Sequence, residues 1–75
     1  MIRRARYGAG MSARALGRAI GRNHPWVADL EAGVRPPTAT MADRVSRALH
    51  LDPWTDAVLR SAAIPDSEMR SRKAA

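Results

Sequence analysis

The chain has no cysteine and no phenylalanine, and only two tryptophans and one tyrosine among its 75 residues. Without cysteine, neither a disulfide nor a thiolate-bound metal can add stability. The length lies near the lower limit at which one hydrophobic core folds unaided, so a single domain is expected. The two histidines, His24 and His50, stand far apart with no carboxylates clustered around them. That spacing argues against zinc, and no metal or cofactor is expected. Apolar runs are all far shorter than the ~20 residues a membrane span needs. The start, MIRRARYGAGMS, is basic like that of a signal peptide but lacks the apolar stretch that follows in one. The expectation is a cytoplasmic protein without a membrane partner. No nucleophile–base set and no phosphate-binding glycine loop stands out, so neither a catalytic residue nor a small-molecule ligand is assigned.

Acids are also missing where they would matter. The first carboxylate is Asp29, whereas Arg3, Arg4, Arg6, Arg14, Arg18 and Arg22 precede it. From residue 23 onward the charges balance, so the whole formal excess of +6 sits in the first third. Genome composition explains why arginine outnumbers lysine, but it does not explain why acids are absent there. The asymmetry marks a surface for a polyanion.

Sheet-like alternation is absent too, and apolar spacing is helical throughout. A first helix is expected over Ile2 to about Gly8. Ser12 is a good cap for a second that runs to about Ile20, with Leu16 and Ile20 one turn apart on its buried side. Gly21 tolerates the positive φ that a helix end needs. Asn23 caps a third helix, and Pro25 fits its first turn because the amide it lacks would be unpaired there. Val27 and Leu30, with Glu31 beside them, face inward; Gly33 and RPP stop the helix. A fourth starts at Thr38 or Thr40, where Thr40 and Asp43 resemble a capping box. Its apolar stripe is Met41, Val45, Ala48 and Leu49. Asp52 and Pro53 open a fifth, lined on one side by Trp54, Val58 and Ala62, with Leu59 adjacent. Residues 1–65 form the domain, and 66–75 read as a frayed tail.

Five short helices with a compact turn between the second and third match the layout that presents a helix to the DNA major groove. At this point the sequence resembles the Cro/C1-type, or Xre, helix-turn-helix family over roughly residues 2–64. The resemblance rests on GMSARALGRAIG, VADLEAGVRPP and ADRVSRALHLDP. Its pieces are Gly10-Met11-Ser12, Leu16 followed by the small Gly17, the turn glycine Gly21, and Glu31-x-Gly33 with Pro36. The resemblance implies an all-α, compact five-helix, lambda-repressor-like DNA-binding domain with its helix-turn-helix at helices 2 and 3. It also implies that Arg6 and Glu31 form a buried ion pair tying helix 1 to helix 3, not a catalytic acid.

The resemblance points the exposed side of helix 3 into the groove, so His24, Pro25, Ala28 and Asp29 are the expected base-facing residues. His24 offers a donor, Asp29 an acceptor for a cytosine amino group, and Pro25 and Ala28 apolar contact with a thymine methyl. The face has no Arg, Lys or Gln, which leaves shape readout as an alternative source of specificity. Asp29 either accepts from a base or pairs with a nearby arginine such as Arg22. The first is favoured, because Asn23 already caps the helix. Phosphates are expected at the helix starts, around Ser12, Ala13 and Asn23, and at Arg14, Arg18, Arg22 and Arg35. Trp26 is placed at the groove wall, donating to a phosphate, against a purely packing role. Arg44, Arg47 and Arg60 read as solvated-face charges. Leu51, Pro53, Trp54 and Leu59 either complete the core or supply a two-fold contact.

The sequence thus reads as a Cro-like or repressor-like regulator that binds double-stranded DNA as a homodimer. From this length no second, ligand-sensing or protease domain is expected. A protein-interaction or antitoxin-type module on the same fold, with weak or non-specific DNA binding, is the alternative. A non-specific nucleic-acid coat protein is a further rival.

Overall fold

The structure, a computed structural model, describes residues 2–67. Five helices follow in chain order: α1 Ile2–Gly8, α2 Ala13–Ile20, α3 His24–Glu31, α4 Ala39–Leu49 and α5 Pro53–Ala62. Each boundary has a local chemical cause. The Ser12 side chain accepts from the Ala15 amide at 3.0 Å, and Asn23 accepts from the Trp26 amide at 3.0 Å. Asp52 accepts from the Thr55 amide at 3.3 Å, with Pro53 filling the first helical position. At the other ends, Gly21 (φ 77°) and His50 (φ 51°) adopt the left-handed conformation that terminates α2 and α4. For His50 this backbone geometry, uncommon outside glycine and asparagine, is the role the sequence did not suggest.

The core is made by Ile2, Leu16, Ile20, Val27, Leu30, Met41, Ala42, Val45, Leu49 and Leu59. Met11, Trp26, Ala48 and Leu51 pack against it from partly exposed positions. The helices meet in an order that differs from their order in the chain. α3 packs on α1 and α2, α2 on α4, and α4 on α5, giving the spatial series α1–α3–α2–α4–α5.

Two expectations about the second half need correction. The capping box at Thr40 does not form: the cap is Thr38, whose side chain accepts from the Met41 amide at 3.2 Å. The cause lies at the far end of the chain. Ile64 O accepts from the Ala39 amide at 2.9 Å, and Asp66 accepts from the Thr40 amide at 3.2 Å and from the Thr40 hydroxyl. With Ala42 bonded to Thr38 O at 2.8 Å, every first-turn amide of α4 has a partner two residues earlier than a Thr40 cap would allow. Ile64 also donates to Pro37 O at 2.9 Å, so the segment after α5 is stitched beside the segment before α4. Asp66, read as the first residue of the tail, therefore belongs with the folded part. The rest of that tail, from residue 68, lies outside the described residues.

The second correction concerns α5, which turns Leu59 inward and not the Trp54–Val58–Ala62 side. Leu59 is buried, Val58 is half-buried, Ala62 is exposed, and Trp54 is 71% exposed. A polar clasp sets this rotation. The buried Ser46 hydroxyl of α4 donates to Asp56, and Arg60 reaches both Asp56 at 2.9 Å and Asp43 at 3.1 Å. Holding Asp56 and Arg60 against α4 swings Trp54 out to solvent.

Candidate nucleic-acid interface

α2 and α3 are joined by three residues, Gly21, Arg22 and Asn23. The close approach has a measurable cause at Gly17. A Cβ there would stand 2.5 Å from the Arg22 carbonyl oxygen, nearer than real Cβ atoms come to backbone. The Gly17 carbonyl in turn accepts from the Arg22 amide at 2.8 Å, closing the turn. Arg44, which the sequence placed among solvated charges, donates from α4 to the Ile20 carbonyl at 3.2 Å and so caps the end of α2. Its signal in the sequence was weak, since only a contact across helices distinguishes it from Arg47 and Arg60. Those two are exposed, as expected, and pair with Asp43 and Asp56.

From the other side, α3 is anchored by Arg6. Its Nε and Nη2 donate to the two Glu31 oxygens at 2.9 and 3.1 Å, and Nη1 donates to Met11 O at 3.1 Å. Both side chains are buried, at 9% and 3% exposed, and Arg3 approaches Glu31 at 3.9 Å. The Glu31 carboxylate holds the Arg6 guanidinium above its ordinary pKa, against the opposing effect of burial. A fork-on-fork pair with its remaining N–H on a carbonyl is well suited to a buried position. The expected tie between the first and third helices is present.

With Val27 and Leu30 turned into the core, α3 leaves His24, Pro25 and Ala28 exposed and Asp29 half-buried. Arginines frame that face. Arg14, Arg18 and Arg22 line an open cleft of about 440 Å³ together with Asn23 and His24. The Arg14 and Arg18 positions lie one turn apart on α2, so their side chains reach the same side. Ser12 is exposed and Ala13 half-buried at the start of α2. The Ser12 cap engages Ala15, which leaves the Ala13 and Arg14 amides at that end outside the helical ladder.

Trp26 takes the packing role that was weighed for it. The side chain is half-buried against the core. Its ring also carries two guanidinium groups, Arg22 at 5.8 Å and Arg35 at 6.0 Å from the centroid. The two arginines come from the turn before α3 and the loop after it, so one indole gathers them at one border of the exposed face. Sequence spacing did not show this. Asp29 pairs with Arg35 at 3.5 Å rather than with Arg22. The loop folds back onto α3, with the Val34 and Arg35 amides bonded to the Asp29 carbonyl at 3.0 and 3.3 Å.

The residues weighed for core or two-fold contact fall on different sides of the surface. Leu59 is 2% exposed and is committed to the core, and Leu51 packs against it. Pro53 and Trp54 are exposed.

A three-residue turn between two capped helices, the second showing an arginine-framed face, defines a helix-turn-helix domain. A family model described as "Helix-turn-helix domain" matches residues 1–60, and the chain belongs to that family. Its partner class is DNA, and its fold is all-α. Comparisons with curated proteins and with solved structures gave no significant match. Among the described residues no helix is long and apolar enough to cross a membrane.

Proposed function

We propose that the protein is a Cro/C1-type transcriptional regulator that binds a two-fold operator as a homodimer with α3 in the major groove. The observation that carries this reading is the exposed face of α3, bordered by Arg22 and Arg35 on the Trp26 ring and flanked by the Arg14–Arg18–Arg22 cleft. Arginines outside the groove and the amides at the start of α2 take phosphates and fix register. His24, Pro25, Ala28 and Asp29 then meet base edges. Regulation follows from occupancy of a promoter in the cytoplasm. A second copy docks through Trp54 and Pro53, the exposed part of the α4–α5 corner.

The lack of Arg, Lys and Gln on the α3 face favours one other reading, a protein-interaction or antitoxin-type module with weak DNA binding. Binding measured against salt, followed by selection from a random duplex library, separates the two. Six phosphate contacts from Arg18, Arg22, Arg35 and their mates give a log–log slope of about −5. A slope near zero removes DNA from the account. A steep slope with no selected site favours the alternative.

A further inference from the structure

Asp29 is the one carboxylate on the exposed side of α3, and the structure holds it against Arg35. That placement is fixed by backbone as well as by charge. The Val34 and Arg35 amides both bond to the Asp29 carbonyl, so the loop must break these two bonds before it can carry Arg35 away from Asp29. Trp26 confines the guanidinium from a second side. Arg35 is thus poised at the edge of the groove face with an oxyanion already on it.

We propose that Asp29, Arg35 and Trp26 form an electrostatic latch that makes Asp29 a specificity-determining residue. The inference rests on the DNA-binding reading above. In the free protein the Asp29 carboxylate stands in for a DNA phosphate on Arg35. On docking, Arg35 exchanges that carboxylate for a phosphate, and the ring of Trp26 keeps the guanidinium at the groove edge during the exchange. The released carboxylate then faces a polyanion. A cytosine or adenine amino group beneath it supplies the missing donor, whereas guanine O6 and N7 or thymine O4 supply only further acceptors. A wrong base pair therefore breaks an internal contact and returns nothing for it. Backbone binding by Arg35 and base reading by Asp29 are one coupled event, so a single carboxylate both penalises random DNA and rewards the right site.

The test is a double-mutant cycle of Asp29→Asn and Arg35→Ala, with affinities for random duplex and for the selected site. Asp29→Asn should tighten random-duplex binding about two- to five-fold per bound copy, the range an exposed ion pair supports. It should also relax the base profile at one position per half-site. On the Arg35→Ala background the same substitution should gain less than half as much. Equal gains on both backgrounds, or an unchanged base profile, overturn the latch. Nuclear magnetic resonance of the DNA-free protein gives an independent reading: Asp29→Asn should move the Arg35 Nε–H and the Trp26 indole resonances. If neither moves, the latch is absent whatever the DNA result. A parent protein that binds no duplex at low salt defeats the functional reading instead, and the resonances still report on the contact itself.

Discussion

Gly17 and Glu31 show how single residues set the position of α3. A methyl group at Gly17 has no room, because the atom it would meet is the Arg22 backbone carbonyl in the turn. Alanine gains ~1 kcal/mol of helix propensity over glycine. Overpacking against an atom that cannot rotate away costs about 1–3 kcal/mol. The clash wins, so Gly17→Ala should lower the melting temperature by several degrees, and an unchanged melt would mean that the turn relaxes freely. Glu31 fails in a different way when altered. Glu31→Gln leaves the buried Arg6 guanidinium without its counter-charge, at a cost of about 3–5 kcal/mol. Replacing both partners by apolar residues, Arg6→Met with Glu31→Leu, should recover most of that loss, because no buried charge remains. Thermal unfolding of the three proteins distinguishes stranded charge from lost packing: a double variant as weak as the single one would rule out the first.

The helices themselves were legible in the sequence because their ends are written in adjacent residues. Ser12, Asn23 and Asp52 each bond an amide three residues on, and such contacts need no knowledge of the rest of the chain. What failed to show was everything decided between helices. The start of α4 depends on Ile64 and Asp66, and the rotation of α5 on the Ser46–Asp56 bond. The cap on α2 comes from Arg44, and the partner of Asp29 is Arg35, across a loop whose fold no spacing rule announces. The Arg6–Glu31 pair was anticipated only through family resemblance.

The α4–α5 clasp also carries an acid dependence. Asp56 is held below its ordinary 3.8 first by the Ser46 hydroxyl and then by Arg60. Asp43 is held below 3.8 first by Arg60, with Arg47 adding to it. A lowered folded-state value means that the unfolded chain binds protons first on acidification. The stabilisation is therefore complete above about pH 4 and lost as the pH falls through the lower folded values. Urea midpoints taken down that range should fall less steeply for Asp56→Asn than for the parent. Parallel curves would show that these exposed pairs contribute nothing to stability.

At the scale of the whole molecule, the most conspicuous exposed apolar side chain near the α4–α5 corner is Trp54, at 71%. Its removal leaves the core untouched, so Trp54→Ala should keep the parent's helical content and melting behaviour. If the second copy docks there, sedimentation of the variant should shift to the monomer. Binding to a duplex with two half-sites should then weaken far more than binding to one half-site, since the advantage of joined modules is lost. An unchanged sedimentation coefficient would move the two-fold contact elsewhere.

The spatial series α1–α3–α2–α4–α5 has a consequence for such a pair of copies. Joined at the α5 corner, one α3 is linked to the other through α5, α4 and α2 of each copy, and also through α1, whose Arg4 and Ala5 lie beside Trp54 and Thr55. Angular play at each of these joints adds along the path, as error accumulates in a measuring chain. In a dimer of that kind, the Ser46–Asp56 contact and Arg44 on the Ile20 carbonyl would help to set how accurately two half-sites are spaced. In the proposed function the letters read belong to α3. The ruler and the alphabet occupy different residues, and substitution can recalibrate one while leaving the other as it stands.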